Sequence, residues 1–427
     1  MRVPAPVRRP LTLPLLLAGA LAALPVPPAG ALTADQALGS SLTRTMRVAG
    51  AYSGALVADA STGRVLFAWR PDVLRVPASN QKLYTTAAAL LAHGPAARLP
   101  TRVLGEATVD DAGTYTGNLY LRGGGDPTFG TLSFNRRAYG MGGTVSGLAD
   151  RLTAAGIRRV HGAVVGDESL FDVRRGGRTF ARLFYIGGPL SALSFNRGLA
   201  NEYGSAFQLH PATFSAAALT AALRARGISV SGSALQGPTP ASARELAAEP
   251  SPTIAALAGF VNRPSDNYMA EMLLKGLGAY FAGSGSTAAG ASVARTRLAA
   301  LGIAPRVYDG SGLSRYNATS PRQVVRLLAA MHQSPALRLA FAYSLPLAGR
   351  SGTLAGRMRG TTAAGRCRAK TGTISGASAL SGYCTALGGR RLAFSFLMNR
   401  TNVVRARALQ DAMTATIARD RGAVASP

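Results

Sequence analysis

"VPASNQKLYTTAAALLAHG", residues 76–94, has the pattern of a helix entered through a polar turn. Leu83, Ala87, Leu90 and Leu91 recur at helical spacing, Gly94 supplies a stop, and no Asp, Glu, Lys or Arg follows Lys82 before the end. A helix of that texture is built for burial, yet its first turn carries a lysine. Lysine is scarce in this chain: Lys82, Lys275 and Lys370 are the only three among 47 basic residues, and the other 44 are arginine. Ser79 stands three residues before Lys82, and positions i and i+3 of a helix face the same way. A serine hydroxyl is a weak nucleophile until a base lies within hydrogen-bond reach. A lysine with an ordinary pKa of about 10.4 is neutral in only a few parts per ten thousand at pH 7, but burial and a second nearby cation lower that pKa. Arginine cannot take the role, because it keeps its proton in proteins. Alone, S-x-x-K is a weak signal, and a capped helix whose lysine snorkels to solvent is then the better reading.

The chain has 427 residues, 47% of them hydrophobic, enough for two or three domains with real cores. Residues 1–31 read as a signal peptide: Arg2, Arg8 and Arg9 precede the apolar run "LTLPLLLAGALAALPV", and "AGA" (29–31) offers a cleavage site near Ala31. An uncleaved anchor is the alternative. Cleavage removes three arginines and no acid, taking the formal charge from +28 to +25. Export makes nucleic acid an unsuitable partner for so basic a protein and favours anionic cell-envelope polymers, unless the arginines only reflect codon bias. Four scattered histidines form no metal-ligand spacing, and neither a metal nor another cofactor is expected.

Residues 53–69 look like two strands around a Ser-Thr-Gly turn, after which the helix of Ser79 and Lys82 follows. From about 95 the texture changes to short β-like pieces with glycine turns. Within it, "LADRLTAAGIRRVHGAVVGD" and "LTAALRARGISVSGSALQG" share a helix–glycine–strand pattern without amounting to a repeat. The stretch "GPTPASARELAAEPSP", ending near 252, reads as a linker. The expected organisation is therefore a first domain part over 32–94, a β-rich insert over 95–250, and a second part over 251–427. The final amphipathic helix is expected to pack on a sheet rather than lie on a membrane.

Two further motifs accompany Ser79 and Lys82. Lys370 opens "KTG", which suits a strand bordering a cleft: a cation, a hydroxyl at Thr371 and, at Gly372, room for close backbone approach. Serine-x-asparagine occurs at Ser133/Asn135, Ser194/Asn196 and Ser265/Asn267. Only the last lies in a short loop between two helices of the domain that carries the other motifs. "SNQK", "SDN" and "KTG", in that order, resemble the three motifs of penicillin-binding proteins and serine β-lactamases. The long interval 83–264 resembles the D-alanyl-D-alanine carboxypeptidase/endopeptidase branch, in which domains are inserted between the first two motifs. "GGGDPTF" (123–129), "DGSGLSRYN" (309–317) and "LPLAGRSGTLAGRM" (345–358) extend the similarity over nearly all of the mature chain. The insert is short for that branch.

The resemblance implies an α/β (α+β) transpeptidase-like fold, an antiparallel sheet flanked by helices, acting on peptidoglycan stem peptides and acylated by β-lactam antibiotics. It implies Ser79 as nucleophile, Lys82 as base, Ser265 as proton relay and Asn267 as a contact for the substrate amide. Lys370 would supply positive charge, Thr371 and Thr373 would meet the terminal carboxylate, and the N–H groups of Ser79 and Thr373 would form an oxyanion hole. Matching the branch, Asp126 of "GGGDPTF" is expected on a loop facing the cleft, holding the ammonium of a diamino acid; a residue of an Asp-Pro turn is the alternative. Lys275 has no such role and is expected on a solvated helix face. A serine β-lactamase and a catalytically silent wall-binding protein are the competing readings. No E-x-x-L-N segment supplies a deacylating glutamate for the first, and the intact Ser79/Lys82 pair argues against the second.

Cys367 and Cys384 are the only cysteines, and strand register predicts their pairing. With Ser375-Gly376 as a two-residue hairpin turn, 374 faces 377, 370 faces 381 and 367 faces 384. The last is a non-hydrogen-bonded pair, with Cα atoms close enough for a disulfide. Period-two alternation puts Cys367 on the face opposite Lys370.

Overall fold

The computed structural model describes residues 1, 3, 5, 32–180 and 182–422. The leader and its cleavage site near Ala31 lie outside the described residues, apart from those isolated positions. Helix α1 (Ala34–Val48) precedes strands β1 (Ser53–Asp59) and β2 (Val65–Trp69); a single 3-10 turn, Ala78–Asn80, leads into α2 (Gln81–His93). Next come β3 (Thr101–Gly105), β4 (Thr114–Thr116), β5 (Leu119–Arg122), α3 (Leu132–Ala138), α4 (Val145–Ala154), β6 (Arg159–His161) and β7 (Val164–Asp167). They are followed by α5 (Leu183–Ile186), α6 (Pro211–Arg224), β8 (Ser229–Val230), β9 (Leu235–Gln236) and β10 (Arg244–Glu249). The chain then forms α7 (Ile254–Asn262), α8 (Asn267–Ala282), α9 (Thr287–Ala299), α10 (Pro321–Gln333) and α11 (Arg338–Ser344). Strands β11 (Cys367–Ile374), β12 (Ala377–Thr385) and β13 (Arg391–Asn399) and helix α12 (Val403–Ala418) complete it.

Five strands from both ends of the chain make one antiparallel sheet in the order β11-β12-β13-β1-β2. Both of its faces are covered. On one side Leu38, Leu42 and Met46 of α1 and Met413 and Ile417 of α12 pack against Val57, Leu380, Phe394 and Phe396. On the other, α2 and α7 to α11 form the larger core, with Leu83, Leu90, Leu273, Leu328 and Phe341 fully enclosed. The last helix packs on the sheet, as its pattern requires, and α1 supplies a partner that no motif announced.

The segment between α2 and α7 builds two smaller sheets, β10-β3-β5-β7-β9 and β4-β6-β8, around a third core. Here the two similar helix–strand segments are laid side by side. Strand β6 pairs in parallel with β8, and β7 with β9. The stretch read as a linker contains a strand instead: β10 pairs antiparallel with β3 from Arg244↔Gly105 to Glu249↔Thr101. "RELAAE" has little intrinsic strand preference; the open edge of β3 imposes the conformation.

The β11–β12 hairpin adopts the expected register: Ile374↔Ala377, Lys370↔Ser381 and Cys367↔Cys384. The cysteines form a disulfide with Cα atoms 4.0 Å apart. Cys367 and Ala369 face α1 and α12, and Lys370 faces the helical side.

Candidate active site

The 3-10 turn delivers Ser79 to the N-terminus of α2, with Ala78 before it held at φ 48°, a conformation a side chain adopts only under constraint. Two anchors impose it. Asn80 donates from Nδ2 to Ser381 Oγ on β12 (2.7 Å). Strand β11 also presses in so closely that a Cβ on Gly372 would lie 2.7 Å from Pro77 O and 3.1 Å from Ser79 N. Gly372 is thus required where strand and turn meet, with Thr373 on the strand next to it. Gly312 (φ 86°) serves the same purpose on the opposite wall, where a Cβ would stand 1.9 Å from Ala78 O.

Lys82 is fully buried and makes three contacts: its Nζ donates to Ser79 Oγ (3.0 Å), Asn267 Oδ1 (2.7 Å) and the carbonyl of Ser311 (2.6 Å). Burial lowers its pKa to about 8, against the opposing pull of Asp309, Asp266 and Glu271. Glu271 lies one turn along α8 from Asn267. It accepts from the N–H groups of Gly310 (3.1 Å) and Ser311 (2.8 Å), which aims the Ser311 carbonyl at Lys82. Asp309 closes the same loop, accepting from Gly312 N, Ser314 N and Asn317 Nδ2, each at 2.7 Å. Burial raises the pKa of both carboxyls, that of Glu271 to about 7.

Ser265 and Asn267 bracket the start of α8. Ser265 holds φ 65° and its Oγ accepts from Lys370 Nζ at 2.8 Å. Asn267 has its amide fixed at both ends, donating from Nδ2 to the carbonyl of Tyr185 in α5 (2.9 Å) while accepting from Lys82. The other two Ser-x-Asn sequences are elsewhere: Ser133 bonds Glu202 within the insert, and Ser194 bonds the Tyr268 hydroxyl. Lys370 is not a simple fixed cation. Burial, with the charge on Lys82 adding to it, holds its pKa well below the usual lysine value.

These groups open onto a cleft of about 370 Å³ whose walls include Ser79, Ser265, Thr371 and Thr373. Thr353, Arg357 and Arg407 complete it, and no motif pointed to them as site residues. Thr371 Oγ1 lies 2.8 Å from Thr353 Oγ1, and Arg407 donates to Thr373 Oγ1 at 3.1 Å. Arg357 is neutralised by Asp411 at 2.7 Å. Arg407 stands in the first turn and a half of α12, so its helix is assigned by pattern and its role only by geometry.

Two expectations fail. Asp126 does not face the cleft: it is 1% exposed, its Oδ1 accepts from Thr128 N (2.8 Å) and Thr128 Oγ1 (2.7 Å), and burial raises its pKa to about 7. The glycines before it draw the loop inward, with Gly123 against the Ala192 carbonyl and Gly124 against that of Pro100. Lys275 is not solvated either. Its side chain is 1% exposed, donates to Asp172 Oδ1 at 2.7 Å and lies over the Phe171 ring, tying α8 to the insert.

A serine beside a buried lysine, a Ser-x-Asn loop and a Lys-Thr-Gly strand on this sheet define a serine peptidase of the penicillin-binding class. The chain belongs to the D-Ala-D-Ala carboxypeptidase 3 (S13) family, which it matches over residues 34–193 and 194–420. It is 30% identical to the D-alanyl-D-alanine carboxypeptidase of Actinomadura sp. (strain R39), covering 96% of this chain and 89% of that one. That alignment spans 493 positions, more than the 427 of this chain, so the relative carries segments absent here. Carboxypeptidase DacB of Mycolicibacterium smegmatis is 33% identical over 80% of this chain and 75% of its own length. In structure, penicillin binding protein 4 (dacB) from Haemophilus influenzae superposes with a TM-score of 0.71 at 21% identity, covering 88% of this chain and 97% of that one. The same protein has been solved complexed with a β-lactam. The chain is a serine-type D-alanyl-D-alanine carboxypeptidase. Among the described residues no helix is long and apolar enough to cross a membrane.

Proposed function

We propose that the enzyme is exported and cleaves the terminal D-alanine from peptidoglycan stem peptides through an acyl-enzyme on Ser79. The observation that carries the mechanism is how the hydrogens on Lys82 are distributed. A neutral lysine has two N–H bonds and one lone pair. The Asn267 and Ser311 oxygens can only accept, so they hold the two hydrogens, and the lone pair is left facing Ser79 Oγ. Lys82 takes the Ser79 proton as Oγ attacks the penultimate D-alanine carbonyl. Negative charge then develops on an oxygen held by the N–H groups of Ser79 and Thr373. The departing amine takes the proton of Ser265 Oγ, which Lys370 replaces across 2.8 Å. Lys82 then releases the proton it took and Lys370 regains the one it gave, by exchange with solvent. Neutral Lys82 deprotonates a water that attacks the ester, and passes that proton to Ser79 Oγ as it departs. Thr371, Thr373 and Arg407 hold the terminal carboxylate, Arg407 being the cleft guanidinium that makes no ion pair among the described residues.

Benzylpenicillin supplies the test. Intact-mass spectrometry is expected to show one penicilloyl adduct on the wild type, mapped to Ser79, and none on Ser79→Ala. An adduct elsewhere, or none on folded wild type, refutes the mechanism. Slow loss of the adduct alongside rapid D-alanine release separates this reading from a β-lactamase.

A further inference from the structure

A second cavity opens at the end of the main sheet where β11 turns into β12. It encloses about 500 Å³, and its walls include Tyr52, Leu74, Arg70, Arg315 and Arg400, with Gly376 at its rim. Arg75 forms the floor. It is 5% exposed and fully engaged with the carbonyls of Tyr52, Ser53, Arg70 and Val73 at 2.7 to 3.1 Å. The other three arginines are exposed. Arg70 donates to the Ala51 carbonyl, Arg315 to that of Ser375 (2.5 Å), and Arg400 to the Tyr52 hydroxyl (2.7 Å) while lying 4.2 Å over its ring. No aspartate or glutamate lines the cavity among the described residues. Four guanidinium groups thus share one space without a counter-charge, an arrangement that an anion relieves. The pKa of Arg75 registers the crowding: burial first, then the charge of Arg70, lowers it to about 10.

Its position relative to the chemistry suggests what that anion belongs to. The leaving amine is assigned to Ser265 and Lys370, on the Lys370 side of Thr373, the terminal carboxylate to Thr371, Thr373 and Arg407, and the reacting carbonyl to the N–H groups of Ser79 and Thr373. The acyl part of the substrate must therefore extend the other way along β11, past Ile374 toward Gly376. At about 3.3 Å per residue, Thr373 to Gly376 covers about 10 Å, or two to three residues of an extended peptide. We propose that this cavity is a distal acyl-donor subsite that takes a carboxylate carried two to three residues ahead of the acylated alanine. Arg70 and Arg400 bind the carboxylate, and Leu74 and Tyr52 cover the chain that bears it.

This rests on the acylation of Ser79, and the test keeps the two apart. Two stem-peptide analogues ending in D-Ala-D-Ala are compared, identical except that the acid two residues ahead of the acylated alanine is free or amidated. The wild type is expected to favour the free acid by about tenfold in kcat/KM, mainly through KM. Arg70→Gln and Arg400→Gln are each expected to bring that ratio to within about threefold. Thermal melting checks that the variants fold. Penicillin labelling of Ser79, measured in parallel, reports on the acylation machinery alone. A wild-type ratio near one, or a ratio unchanged in both folded variants, overturns the proposal. So does saturable binding of an oligo(glycerol phosphate) that both variants lose while the peptide ratio stays fixed, because the arginines would then serve a wall polymer.

Discussion

Lys82, the proposed base, is held with little freedom. Its three contacts fix its direction, and its burial adjusts its proton affinity. With a pKa of about 8, roughly a tenth of the amine is neutral at pH 7, against a few parts per ten thousand for a free lysine. Three carboxylates work in the other direction, so the site is balanced rather than simply desolvated. With the neutral amine proposed as the base, acylation by benzylpenicillin is expected to rise with pH and level off above an apparent pKa of about 8. Below that value it should fall about tenfold per pH unit. Lys82→Arg keeps the charge but has no lone pair to offer, and should lose about 10³-fold or more. Stopped-flow labelling between pH 6 and 9 measures both, and a flat profile removes Lys82 from the role of base.

The β11–β12 hairpin carries Lys370 on one face and the disulfide on the other. Cys384→Ser opens a loop of 17 residues and is expected to cost about 3 kcal/mol of stability, seen as a lower Tm. On the folded fraction, penicillin acylation should stay within about threefold, because Cys367 faces α1 and α12 and not the cleft. A thiol titration of the denatured, unreduced wild type should find no free thiol. This hairpin was readable in the sequence because a two-residue turn leaves one register, and strand alternation then places every side chain. The Ser79 turn and α2 were readable for a similar reason, since each depends on local spacing, whereas Ser265/Asn267 was picked from three Ser-x-Asn sequences by its place in a loop between two helices. What could not be read depends on distant packing. Glu271 sits on the same face of α8 as Asn267, but its partner loop at Gly310–Ser311 lies about forty residues on. Strand β10 exists because β3 has an open edge, and Asp126 is buried because Gly123 and Gly124 fit under two distant carbonyls.

At the scale of the molecule the segment between α2 and α7 braces the start of α8. Three contacts join it to the start of α8: the Tyr185 carbonyl holds Asn267, Ser194 holds Tyr268, and Arg197 grips Asp266 between its two motif neighbours. Arg197 donates to both carboxylate oxygens, at 2.5 and 3.0 Å, and also to the Gly187 carbonyl at 2.7 Å. Its guanidinium lies 4.9 Å over the Tyr268 ring, and only 20% of its side chain is exposed. Asp266 in turn caps α8, accepting from Met269 N at 2.9 Å. The pair therefore sets the angle at which Ser265, already at φ 65°, meets Lys370. Arg197→Ala leaves the Asp266 carboxylate partly buried without its partner, at an expected cost of about 3 kcal/mol. Arg197→Lys keeps the charge but not the two-pronged grip, and should recover stability better than rate. If Arg197 acts by positioning, the folded alanine variant should lose about 10²-fold in kcat for D-alanine release with little change in KM. The lysine variant should fall between. A purely structural role for Arg197 predicts a lower Tm with kcat per folded molecule unchanged, and that result would detach the insert from catalysis.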